Sequence, residues 1–111
     1  MDGFNQRKLA FEAKYHHDEE MMFRVTSRRN HLFGLWIAQD ILGYDEEAAE
    51  AYAQMVISIY FSSAGDAGLI SKIHFDLEKI QIDCSQHRLE KALLNCHDQA
   101  REEIALEEGI V

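Results

Sequence analysis

At 111 residues the chain has the length of one domain, and its 47% hydrophobic content supports a modest core. The formal net charge of −9 is unevenly spread: residues 1–42 hold six basic and six acidic side chains, residues 43–111 five basic and fourteen acidic. A surface of that sign repels phosphate, which argues against a nucleic acid or an anionic membrane face as partner.

The first predicted element covers residues 4–42, where there is no proline and a single glycine, Gly34. Advancing about 100° per residue from Phe4, the side chains of Phe11, Tyr15, Met22, Phe33 and Trp36 all return within about 40° of it. This is one apolar, mostly aromatic stripe on one helix. At about 1.5 Å per residue such a helix is roughly 58 Å long, against about 30 Å for a small domain. One end must therefore project. After Arg29 the apolar residues spread to several faces (Leu32, Phe33, Leu35, Trp36, Ile37, Ile41, Leu42), as in a helix enclosed by neighbours. The core-forming part is expected from near Val25 to Leu42, with Trp36 at its centre. Residues 1–20 are left over. An isolated helix of that size is marginal in water, so the segment is expected to be flexible or projecting when free.

Glycine and polar clusters mark the remaining boundaries. Gly43 suits a helix C-cap, and Asp45 an N-cap opening a second helix over 45–61. Its apolar face is Ala49, Tyr52, Ala53, Val56, Ile59 and Tyr60. The run Ile57-Ser58-Ile59-Tyr60-Phe61 has strand character, but a lone strand would have no partner. Asp66 is the N-cap candidate for a third helix over 67–81, with Ile70, Ile73, Leu77 and Ile80 on its apolar face. Ser85 or Asp83 opens a fourth over 85–107, lined by Leu89, Leu93, Cys96, Ala100 and Ile104. Short connections make neighbours antiparallel, so the predicted fold is all-α: a small up-and-down four-helix bundle at 21–111 with the 1–20 segment attached.

No chemistry stands out. The six histidines lack metal-ligand spacing: His87 and Cys96 are about 13.5 Å apart along a helix, and no histidine follows a glutamate by three. Cys84 and Cys96 are separated by about 18 Å on the same reasoning, which favours free thiols over a disulfide. Neither phosphate-binding glycine loops nor nucleophile motifs occur, and pairs such as Glu102-Glu103 read as solvated charge. No enzyme site, metal or cofactor is nominated. The first residues lack the apolar core of a signal peptide and no run is long enough to span a membrane, so a cytoplasmic location is expected. The stripe of residues 4–15 is the remaining signal, an amphipathic segment suited to a partner's groove.

The residues Ala10-Phe11-Glu12-Ala13-Lys14-Tyr15, His17-Asp18-Glu19-Glu20, Phe23, Arg28-Arg29-Asn30, Leu32 and Gly34-Leu35-Trp36 together resemble the zeta subunit family. This family comprises the small ATPase inhibitors of the alphaproteobacterial F-type ATP synthase. Leu42-Gly43, Glu47 to Ala53, Gly65-Asp66 and the Ser85-x-His87 start of the last helix keep the spacing. His16, Leu9 and Met21-Met22 depart from the pattern.

The resemblance implies a four-helix protein whose N-terminal segment enters a catalytic alpha/beta interface of the synthase head. There it would reach toward the gamma subunit and block rotation in the hydrolytic direction. It implies Phe4, Arg7, Lys8, Phe11, Lys14 and Tyr15 as partner contacts, and a location peripheral to the inner membrane through the head. Adenine nucleotide binding is associated with the fold, without a site that this sequence marks. The alternatives are a helical adaptor presenting its amphipathic segment to another protein, or a family member with weak inhibition.

Overall fold

With no proline to interrupt it, the first periodic stretch folds as one long helix. A computed structural model describes residues 2–109, with side chains from residue 17 onward. Helix α1 runs Asp2–Trp36 and continues as a π-helical turn, Ile37–Ile41. Helices α2 (Glu46–Ser62), α3 (Gly65–Lys79) and α4 (Gln86–Glu107) follow. Among the described residues there is no strand, and Ile57–Phe61 lies inside α2. α1 packs against α2 and α4, and α3 against the same two, so α1 and α3 occupy diagonal corners of an up-and-down bundle.

The caps follow the local chemistry. Asp45 accepts a hydrogen bond from the Ala48 backbone N–H at 2.9 Å, and Ser85 one from Arg88 at 3.1 Å, each satisfying a donor that the first helical turn leaves unpaired. Gly43 takes the left-handed conformation (φ +70°) that closes the π turn. There Leu42 N–H donates to the Ile37 carbonyl at 2.9 Å and Tyr44 N–H to Ala38 at 2.8 Å. Asp66 is a correction: α3 begins earlier, at Gly65, and Asp66 makes no cap. Its carboxylate is taken instead by the Arg29 guanidinium, which donates to both oxygens at 2.9 and 3.2 Å. A two-pronged charged partner outcompetes a backbone N–H for the same acceptor.

Phe33, Ile37, Val56, Leu69, Ile73, Leu77 and Leu89 form the heart of the core. Among the described residues of α1 the first that is buried is Val25, which joins Ala100 and Ile104 of α4 in a smaller cluster. The predicted face of α4 is buried throughout. Two expectations change. Trp36 is half-buried rather than central, because it faces the α1–α4 seam with Arg88 over its ring at 5.6 Å; Phe33, stacked beside it at 6.3 Å, takes the centre. Ile80 is exposed because α3 stops at Lys79, where Gln81 enters a left-handed conformation (φ +62°). Ile82 packs against the core in its place.

Gly34 is central to α1 without breaking it. A Cβ built there would lie 2.6 Å from the Ala53 Cα, so the glycine lets the backbones of α1 and α2 approach closely. Both cysteines are free and buried. Burial pushes the Cys96 thiol up to about 11, so it is protonated at neutral pH.

Candidate partner-binding arm and its root

The bundle ends where α1 does not. α2 stops at Ser62, with Phe61 facing Phe23 of α1 at 6.2 Å between ring centres. α4 stops at Glu107, and Arg24 of α1 is paired with Glu107 at 3.1 Å and with Glu108. α3 begins only at the level of Arg29, through its pair with Asp66. Toward its N-terminus from Phe23, then, α1 has outrun all three neighbours. His17, Asp18, Glu19 and Glu20 are exposed, and so are Met22 and Phe23.

Two layers of arginine hold this root. In the outer layer Arg28 donates to Glu103 at 2.8 Å and to Glu107 at 2.7 Å, alongside the Arg24 pairs. The hydrogen bonds that Arg28 donates to Glu107 and Glu103 raise its pKa, and those donated by Gln99 and Arg28 hold the Glu103 carboxyl below its ordinary value. Glu103 is thus an ion-pair partner, which corrects its reading as solvated charge. The sequence held the signal. The last turn of α4 carries Glu107 and no basic residue, and Glu103 lies one turn before it, an unfavourable match to the negative end of the helix dipole. A basic partner from elsewhere was required, and α1 supplies it.

The inner layer is buried. Arg29 is 7% exposed; besides Asp66 it donates from Nε to the Asn30 Oδ1 at 3.1 Å and lies over the Tyr60 ring at 5.3 Å. Asn30 is fully buried, and its Nδ2 has no hydrogen-bond partner among the described residues. The Arg28-Arg29-Asn30 motif therefore serves the bundle: one arginine faces α4 and the next crosses to α3. On the other side, His31 Nε2 lies 2.8 Å from a Glu50 oxygen and joins α1 to α2. That contact, and then the hydrogen bond from Gln54, lower the Glu50 pKa.

The six residues expected to meet a partner, Phe4, Arg7, Lys8, Phe11, Lys14 and Tyr15, all lie outside the described side chains, as does most of the 1–20 segment. His17, the one described member of the arm's histidine pair, is exposed. Among the described residues no three His, Cys, Asp or Glu side chains come together as metal ligands, and no helix is long and apolar enough to cross a membrane.

A four-helix bundle with one helix running past the others defines an all-α protein whose conspicuous feature is a single-helix arm. The sequence pattern of the ATPase inhibitor subunit zeta family matches residues 1–103, and the chain belongs to that family. The family is one of regulatory, inhibitory subunits, and membership implies association with an ATP synthase. No curated protein matches the chain in sequence.

Proposed function

We propose that this chain inhibits ATP hydrolysis by an F-type ATP synthase through its N-terminal segment. Residues 1–20 enter a catalytic alpha/beta interface of the head as a helix, reach toward the gamma subunit and block rotation in the hydrolytic direction. Phe4, Phe11 and Tyr15 supply the apolar contacts, and Arg7, Lys8 and Lys14 pair with carboxylates of the receiving surface. The bundle is the holder, carried on the head at the cytoplasmic side of the inner membrane. The chain is a regulator and not a catalyst, and needs no cofactor for this role.

One observation carries the reading: both helices flanking α1 end beside Phe23 and Arg24, while α1 continues beyond them with His17, Asp18, Glu19 and Glu20 exposed. A projecting helix of that kind, on a member of an ATPase inhibitor family, suits insertion into a partner. The deciding measurement is the hydrolysis rate of the cognate synthase head with the full chain and with a variant beginning at residue 21. Full-chain inhibition that is lost on truncation is the expected result. An unchanged rate at saturating full chain would overturn the proposal, and equal inhibition by both forms would move the site into the bundle.

A further inference from the structure

The seam between α1 and α4 holds a groove of about 470 Å³ lined by these two helices alone. Leu32 and the half-buried Trp36 form one wall, and the buried Ala92 and Cys96 the apolar part of the other. Its polar groups, Arg88, Lys91 and Asn95 with Gln99 at the far end, are all exposed on α4. Among the described residues no carboxylate lines it, although residues 43–111 carry fourteen acidic side chains and only five basic ones.

Arg88 and Lys91 stand apart from the other three cations of that region. Lys72 is paired with Asp76, Lys79 lies over the Phe75 ring, and Arg101 shares a different cleft with Asp98 and Glu102. The Arg88 guanidinium lies over the Trp36 ring at 5.6 Å, and neither it nor the Lys91 ammonium forms an ion pair among the described residues. The two are neighbours three residues apart on one helix, where like charges repel, and no acidic residue lies three or four positions from either. Glu90 faces a cleft shared with α3, and Asp83 makes no ion pair with Arg88. An anion from outside would relieve this repulsion.

We propose that this groove docks an extended segment of a partner protein that carries a carboxylate followed by apolar side chains. Arg88 and Lys91 take the carboxylate, Leu32, Ala92 and Cys96 receive the apolar side chains, and Asn95 is free to bond the backbone of the segment. Charge complementarity selects this occupant: a guanidinium fork matches a carboxylate, and a second cation stands beside it. So does shape. From Arg88 to Gln99 is about 16.5 Å along α4, the span of about five extended residues at about 3.3 Å each. A free inorganic anion would leave the apolar walls uncovered. Nothing in this docking depends on the arm.

Trp36 is the chain's only tryptophan and stands in the groove wall, so its emission reports occupancy. The full chain is titrated with a capped pentapeptide, glutamate-serine-leucine-serine-leucine, with its lysine-for-glutamate counterpart and with inorganic phosphate. Backbone amide NMR shifts of residues 88–99 are followed in parallel. Saturable binding of the acidic peptide is expected, about tenfold or more tighter than the lysine peptide and weakened by added salt. Arg88→Gln and Lys91→Gln should each weaken it about fivefold or more, while Arg101→Gln, outside the groove, leaves it within about twofold. All three side chains are exposed, so the fold is kept, which an unchanged melting temperature verifies. Equal binding of the two peptides, or no response at both Trp36 and the amides, would overturn the proposal. Displacement of the acidic peptide by phosphate at comparable concentration would make the groove a general anion site and likewise overturn it. A Trp36 response to chain concentration alone, with dimers in sedimentation, would assign the groove to a second copy, against the proposal.

Discussion

Two described positions on one face of α1, Met22 and Phe33, share a backbone and an apolar stripe yet have opposite environments. Phe33 is 0% exposed and Met22 is 70% exposed, although eleven residues of helix bring them to within about 20° of the same face. The difference lies in the neighbours. α2 and α4 flank α1 from Val25 upward and terminate beside Phe23 and Arg24. Periodicity therefore fixes which face of a helix is apolar, whereas the lengths of the other helices decide whether anything covers it.

Core deletion breaks or sharpens this contrast most strongly. Phe33→Ala should destabilise the bundle by about 3–5 kcal/mol, through lost burial plus an unrelaxed cavity among Ile37, Val56 and Leu69. Met22→Ala, on the same face, should change stability by no more than about 0.5 kcal/mol. Urea unfolding of both variants measures this. Comparable losses would mean that the arm half is packed, and the division of α1 would fail.

Next in size is Gly34→Ala. In an exposed helix the change would stabilise by about 1 kcal/mol through helix propensity. Here the added Cβ would meet the Ala53 Cα at 2.6 Å and Ala53 Cβ at 3.1 Å, backbone that yields only if α1 and α2 separate. Net destabilisation of about 1–2 kcal/mol is expected by overpacking. A melting temperature above the parent's would show that the two helices part freely, and that the enclosed half of α1 is less tightly held than its burial implies.

These residues also show what the sequence made legible. Four helices, their order and the start of the core at Val25 followed from 3.6-residue periodicity, because amphipathic spacing is a local property. Asp45, Gly43 and Ser85 were readable as caps since each acts within a turn of itself. Apart from Ile80, lost to an early stop of α3 at Lys79, the misses are non-local. Asp66 looked like a cap until Arg29, 37 residues away, claimed its carboxylate. Glu103 looked solvated until Arg28 reached across 75 residues to it. Trp36 seemed central because size and hydrophobicity do not say which side of the stripe meets α4. Gly34 was visible as a lone glycine, but its close approach to Ala53 requires knowing the partner helix. The arm was inferred from length alone, and the role of its residues came from the family pattern.

Disrupting the inner arginine has a smaller expected effect. Asp66→Ala removes both carboxylate contacts from a guanidinium that is 7% exposed, leaving it with Asn30 and the Tyr60 face. Stranding a buried charged donor in this way should cost about 1 kcal/mol, the low end of the usual range because Asp66 itself is exposed. Asp66→Asn keeps one acceptor and should lie between. If Asp66→Ala is neutral in chemical denaturation, the crossing from α1 to α3 contributes nothing to holding the root.

The outer clamp of Arg24 and Arg28 should contribute least, and it is the one that pH can dissect. Hydrogen bonds from Gln99 and Arg28 place the Glu103 pKa below its unfolded value near about 4.3. For a carboxylate depressed on folding, the stabilisation is fully present above the unfolded pKa and is lost as pH falls through the folded one. Arg28 stays charged throughout, so the window belongs to Glu103 and lies at and below about pH 4. Exposure of every partner to solvent keeps the gain small, and added salt should erode it. The melting temperature should therefore fall between pH 6 and pH 3 by more in the parent than in Arg28→Gln, with the gap narrowing at high salt. A gap that persists at about 1 M salt would mean that Arg28 holds the root by packing its stem against α4, not by charge. Parallel pH profiles would place the acid-sensitive contacts elsewhere in the bundle, and the root of the arm would then rest on Arg29 and Val25 alone.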